Sequence, residues 1–218
     1  MPGLGAGIGV GLSGGGSSIA HPVDIFGVKL IASFDTVEFS GDQAVTTWTN
    51  LVSAAPDFIS NLPGTINYVD ADDELVFGIN MRMMITALGT TAQPYDFWAI
   101  FPAWADVKYP IFSASNTLLV DMDGSSQYKA YAGSWNTWAA PPAGSHSIRL
   151  HAEGASSELW INGASQGTGD MGVSGILTNI VIAGDAAVDF SIRDWHLTQG
   201  TLTASEVADM EAYLASRV

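Results

Sequence analysis

The chain has 218 residues, 22 acidic side chains against 7 basic ones for a net charge of −15, 24 glycines and no cysteine. Only 13% of residues are charged while 47% are apolar, which excludes a disordered chain, because disorder needs high charge together with low hydrophobicity. The missing cysteines exclude disulfides, thiolate nucleophiles and cysteine-based zinc sites, and the few scattered cations argue against nucleic acid or an anionic membrane surface as a partner.

Residues 2–12 come first. Glycines at 3, 5, 7, 9 and 11 alternate with Leu4, Ala6, Ile8, Val10 and Leu12, the period of an extended strand with one apolar face and one bare face. A helix is disfavoured, since each such glycine costs ~1 kcal/mol relative to alanine. Alone the strip is expensive to order. It is expected to act as an assembly anchor, docking Leu4, Ile8, Val10 and Leu12 into a groove of a neighbouring subunit; a flexible leader is the alternative. Gly14-Gly15-Gly16-Ser17-Ser18 reads as a linker. The start lacks the basic and apolar regions of a signal peptide, and no run reaches the ~18–20 apolar residues of a membrane span. The expected organisation is an arm over 1–20 and one folded domain over 21–218.

Short strands are predicted at 28–34, 44–48, 74–79, 81–86, 97–101, 117–121, 127–132, 147–152, 158–162, 176–183 and 188–193. Ile148, Leu150 and Ala152 alternate with Arg149 and His151, as on a half-buried strand. Asn162-Gly163 marks a type I′ hairpin turn, which needs positive φ twice. The apolar parity of Val188, Phe190 and Ile192 flips near Asp194, which indicates a bulge or a strand end. Trp48, Trp98, Trp160 and Trp195 fall on strands and are assigned to the core. One helix is predicted, over 204–216. Thr203 and Glu206 form a capping box, Leu202 and Val207 a hydrophobic staple, and Val207, Met210 and Leu214 one apolar face. Many short strands without helical periodicity between them predict an all-β antiparallel sandwich with this helix on its outside or edge.

The feature order from Ser147 to Leu214 resembles concanavalin A-like, laminin-G-like jelly-roll domains. It runs through Ser147-Ile148-Arg149-Leu150, the hairpin Glu158-Leu159-Trp160-Ile161-Asn162-Gly163, Ile180-Val181-Ile182-Ala183-Gly184 and Phe190-Ser191-Ile192-Arg193-Asp194-Trp195, then the short helix. Val45-Thr46-Thr47-Trp48-Thr49-Asn50 is similar to the Trp-containing strand near the start of such domains in phage virion proteins, and Asp73-Glu74-Leu75-Val76-Phe77 to the strand in which the family places its first inward Leu and Phe. The resemblance implies two curved antiparallel sheets and, in many members, sugar binding on the concave face or rim loops. It does not imply one function.

Asp70, Asp72 and Glu74 recur at every second position and would share one strand face, as glycosidase carboxylates do. The glucanases of this superfold use two glutamates in one strand motif, however, and only Glu74 is present. The group reads instead as a solvated acidic turn entering a strand. Asp121 and Asp123, before Gly124, are weak Ca²⁺ candidates, with an ordinary turn as the alternative. No other cofactor is expected. His21, His146, His151 and His196 are too dispersed for a metal motif, and His151 reads as a solvated side chain.

Aromatic residues carry the functional reading. Tyr131, Trp135 and Trp138, with Asn136, sit in a stretch rich in glycine, serine and asparagine that reads as a loop, and Trp104 lies upstream. Indole faces stack on sugar rings while Asn and Asp bind hydroxyls, so these five are the candidate carbohydrate-binding residues; filling the core is the alternative. The expected function is a non-enzymatic, self-associating phage-type virion protein in a tail, fibre or head decoration. It would be made in the cytoplasm without a signal peptide, exposed on the particle surface, joined to other virion subunits through residues 2–12, and bound to host surface polysaccharide. A purely structural virion protein and a glycoside hydrolase are the alternatives.

Overall fold

The computed structural model describes residues 19–61, 66–78, 81–102, 111–113, 119–123, 127–140, 142–175, 179–182 and 190–218. The arm with Leu4, Ile8, Val10 and Leu12, and Trp104, lie outside the described residues. With strands numbered in chain order, a six-stranded sheet runs β1 (Leu30–Phe34), β18 (Asp194–Gln199), β8 (Tyr95–Phe101), β13 (His146–Ala152), β14 (Ser157–Ile161) and β15 (Ala164–Gly169). An eight-stranded sheet runs β12 (Trp135–Thr137), β11 (Gln127–Tyr131), β10 (Leu119–Asp123), β9 (Ile111–Ser113), β16 (Ile180–Ile182), β7 (Met83–Ile85), β4 (Phe58–Ser60) and β3 (Thr47–Trp48). A smaller sheet of four strands, β17 (Phe190–Ile192), β6 (Glu74–Phe77), β5 (Ile66–Val69) and β2 (Gln43–Ala44), completes the barrier around the core. The described strand pairs are antiparallel, so the sandwich expected from the sequence is the fold of the protein.

Side chains of all three sheets meet in one interior. Phe34, Trp48, Phe58, Ile66, Phe77, Phe97, Leu150 and Trp195 are buried there. The aromatic members hold edge and tilted contacts, with ring centroids 4.6 Å apart for Phe34–Phe58 and 5.4 Å for Phe58–Trp195. Each fully buried apolar side chain of this kind contributes roughly 1.5–3 kcal/mol of transfer free energy. The central strand β8 is buried on both faces. Its odd positions line the interior, while Trp98 and Ile100 join a second cluster with Phe26, Leu30, Met210, Tyr213 and Leu214.

That second cluster lies beneath two helices. The C-terminal α2 (Ala204–Arg217) starts at the expected capping box, with the Thr203 side chain accepting from Glu206 N and the Glu206 side chain accepting from Thr203 N. Its partner α1 (Pro22–Phe26) was not expected; a proline at its start and the His21 side chain, which accepts from Val23 N, begin it. Because His21 Nδ1 accepts that bond, Nε2 carries the proton and donates to Asp35 Oδ2 at 2.8 Å. The His21 ring also meets Tyr213 of α2 edge-on at 5.5 Å. At the other end of α2, Arg217 donates to Asp194 at 3.0 and 3.1 Å, to Asp73 at 2.8 Å and to Thr36 at 2.8 Å.

Two predicted strands turn out to be sheet changes. The stretch 44–48 divides between β2 in the four-stranded sheet and β3 in the eight-stranded one. The parity flip at Asp194 is a strand end, where the chain leaves β17 for β18 in another sheet. Asn162 and Gly163 have φ of 49° and 73°, as the type I′ turn between β14 and β15 requires.

Candidate functional site

The stretch read as an aromatic loop is a hairpin: β11 ends at Tyr131, a turn follows, and β12 begins at Trp135. The period of two then sorts its side chains. Tyr128, Ala130 and Trp138 point into the sandwich and are buried, while Gln127, Trp135 and Thr137 are exposed and Lys129 and Tyr131 half-buried. Tyr131 and Trp135 are directly cross-strand neighbours, with ring centroids 5.2 Å apart and planes inclined at 51°. Trp135 keeps 47% of its surface exposed.

Trp138 and Asn136 therefore do not share this face. Trp138 is 5% exposed, sits in the core cluster and donates from Nε1 to Gly167 O at 2.9 Å, so its ring is packing rather than platform. Asn136 lies against Gly169 of β15; a Cβ there would stand 2.0 Å from its amide, so Gly169 is what lets the two sheets approach. Trp160, assigned to the core, is on the outer face of β14, half-buried, with the Arg149 guanidinium 4.4 Å over its ring.

The hairpin is held in place by a second loop. Ala132 N and Ser134 N both donate to Met171 O at 2.8 Å, and Ser174 N donates to Ala132 O at 2.7 Å. Gly172 has φ of +83°, and a Cβ on it would stand 2.5 Å from Ala132 O. Gln93 fixes that loop in turn, donating from Nε2 to Gly172 O and Ser174 O at 3.0 and 3.1 Å and accepting from Gly154 N at 2.7 Å. Nothing in the sequence around Gln93 signals this role.

The other flank of the platform is β10. Asp121 pairs with Lys129, and Asp123 with Gln127, in the β10–β11 ladder. The two aspartates are therefore the third and fifth residues of a strand. Among the described residues no group of three His, Asp or Glu side chains is arranged to hold a metal.

Asp70 and Asp72 lie in the turn between β5 and β6, and Glu74 opens β6, so the three do not line one strand face. Asp70 accepts from Gly41 N at 2.9 Å. Burial, against a hydrogen bond from Ser191, holds Glu74 above the usual carboxylate range. His151 is not simply solvated. It bonds Asp96 at 3.2 Å and Glu153 at 3.4 Å, and the Asp96 bond raises its pKa against the opposing effect of burial. His146 and His196 are buried, the latter pushed down to about 3 by desolvation. A cleft of about 420 Å³ between α2 and the Asn162-Gly163 turn carries Ser147, Glu211, Ala212 and Ala215 but no aromatic ring.

No family model matches the chain, and no curated protein matches it. Solved structures do. Trypanosoma rangeli sialidase in complex with sialic acid superposes with a TM-score of 0.59 at 13% identity, over 84% of this chain and 33% of that one. The botulinum neurotoxin serotype D binding domain gives a TM-score of 0.62 at 8% identity, over 89% of this chain and 53% of that one. The same domain in complex with N-acetylneuraminic acid gives 0.61 at 7% identity. The chain thus spans about a third of the sialidase and half of the toxin domain. At such identities the likeness is one of fold, an antiparallel β-sandwich.

Proposed function

We propose that the protein is a non-enzymatic glycan-binding subunit of a phage-type particle, and that Tyr131 and Trp135 form the platform on which a sugar ring stacks. One observation carries the reading: an indole 47% exposed, paired with a tyrosine, on a hairpin braced from behind. Exposed aromatic surface of this kind is costly to leave in water and marks a binding surface. A rigid platform loses little entropy on binding. The sialic acid and N-acetylneuraminic acid complexes of similarly folded domains support a sugar as the ligand. The resemblance of residues 45–50 to a phage virion strand supports the particle setting, with residues 2–12 as its anchor to other virion subunits and a homo-oligomer as the form in which it is displayed.

A glycan array tests the platform. Wild-type protein binds host-surface polysaccharide and Trp135→Ala loses at least tenfold in signal while keeping its unfolding midpoint; equal binding by the two proteins refutes the platform. Deleting residues 1–20 leaves a folded, sugar-binding sandwich that no longer joins particles, and particle incorporation of the truncated chain refutes the anchor. Release of reducing ends from a bound polysaccharide, abolished in Glu74→Gln, is the result that establishes a hydrolase instead.

A further inference from the structure

The aromatic platform lies on the eight-stranded sheet, and the cleft of about 420 Å³ lies on the six-stranded one. Its size is within the ~300–1,000 Å³ of small-molecule sites. β13 and the β14–β15 turn form its floor through Ser147, Asn162 and Gly163, while α2 forms its wall through Glu211, Ala212 and Ala215. The floor is fixed by its own hydrogen bonds. Asn162 Oδ1 accepts from Ser147 N at 2.9 Å and from Ser147 Oγ at 3.5 Å. Those bonds identify the oxygen end of the amide, so the two N–H donors of Nδ2 are at the other end, and they have no partner among the described residues.

Glu211 stands beside this amide. Its Oε2 is 3.6 Å from where a Cβ on Gly163 would be, which puts the carboxylate against the residue next to Asn162. The carboxylate has no hydrogen bond or ion pair among the described residues, and no basic side chain lines the cleft. Cations of the elements around it are committed elsewhere: Arg149 of β13 to Asp96 at 2.7 Å, and Arg217 of α2 to Asp194 and Asp73.

An open carboxylate next to an open amide offers an acceptor for a cation and donors for a neutral oxygen. A bond from an ammonium to a carboxylate is roughly twice as strong as a neutral one, and the chain's net charge of −15 draws cations at longer range. We infer that the cleft is a second ligand site, separate from the platform, and that it takes a protonated amino sugar. The ammonium group donates to Glu211 and a hydroxyl on the neighbouring ring carbon accepts from Asn162 Nδ2. A plain alkylamine would use only the carboxylate, and a neutral sugar would leave it without a cation. The amide is already oriented by Ser147, so binding costs little to order it.

NMR titration of the full-length protein at pH 6 tests this with three probes: D-glucosamine, D-glucose and N-acetyl-D-glucosamine, which keeps the ring and removes the charge. The titrations are run in the wild type and in Trp135→Ala, so that sugar held on the platform is recognised as such. Glucosamine is expected to bind at least fivefold more tightly than either neutral sugar, equally in both proteins. Glu211→Gln is expected to abolish that preference, and Ala215→Trp, which fills the cleft from an exposed helix position, to abolish binding there; both should keep the wild-type unfolding midpoint. Equal affinity for the three sugars, a preference that survives both cleft variants, binding that disappears with Trp135→Ala, or no binding of glucosamine overturns the inference. None of these results bears on whether Trp135 holds polysaccharide on the array.

Discussion

Two hairpins of the sandwich each turn a tryptophan outward, and they treat it differently. On β13–β14, Trp160 is covered by the Arg149 guanidinium at 4.4 Å, and that guanidinium also lies 4.9 Å over Trp98 and is fixed by the fully buried Asp96. On β11–β12, the ring beside Trp135 among the described residues is the inclined one of Tyr131. A cation placed over an indole uses the electron-rich face that a ligand's C–H groups would otherwise meet. Outward position alone therefore does not make a tryptophan a binding residue; what decides is whether the fold has already supplied its stacking partner.

The comparison breaks most visibly at the inward ring of the second hairpin. Trp138→Ala removes a nearly buried indole and its bond to Gly167, and is expected to lower stability by about 3–5 kcal/mol in denaturant unfolding. A loss within the range of a surface substitution contradicts its place in the core. Next comes Arg149→Met, which keeps the stem but leaves the Asp96 carboxylate buried without its cation. The expected loss is about 3 kcal/mol, together with a red shift of Trp160 fluorescence as water reaches the ring. An unchanged emission spectrum means the guanidinium is not the cover.

Trp135→Ala is expected to move stability by no more than about 0.5 kcal/mol while binding is lost, a separation that calorimetry and the array together resolve. The smallest effect is a slope with pH. His151 has a folded pKa above its unfolded value, so its contribution is complete below the unfolded value of about 6.5 and is lost as pH rises through the folded one. Above about pH 7, where the depressed His146 and His196 are neutral folded and unfolded alike and add no slope, His151 should lower stability slightly as pH rises, and His151→Gln should flatten that part of the profile. A wild-type slope that survives the substitution assigns it to another group.

Strands with alternating apolar residues were legible. So were the capped helix, the Asn162-Gly163 turn and the strand end at Asp194, because each writes its requirement into neighbouring residues. Five strands were not. β4 and β9 have three residues, too few to show a period, and β15, Ala164–Gly169, has no apolar alternation to read. β5 lies next to an acidic turn, and β12 hides in Trp-Asn-Thr within turn-forming residues. The exposure of the aromatic hairpin was half legible. Composition identified Tyr131 and Trp135, but treating 131–138 as a loop discarded the parity that sends Asn136 and Trp138 the other way. The brace through Gln93 depends on contacts to residues 61–81 positions distant, which no local pattern encodes.

Under the proposed anchoring through residues 2–12, the bond from His21 to Asp35 stands where load would enter the described fold. A tug on the chain ahead of residue 19 meets this clasp and the Tyr213 ring before it reaches β1, which forms the rim of its sheet against β18. One side-chain bond and five helical residues thus lie between that entry point and the β1–β18 ladder.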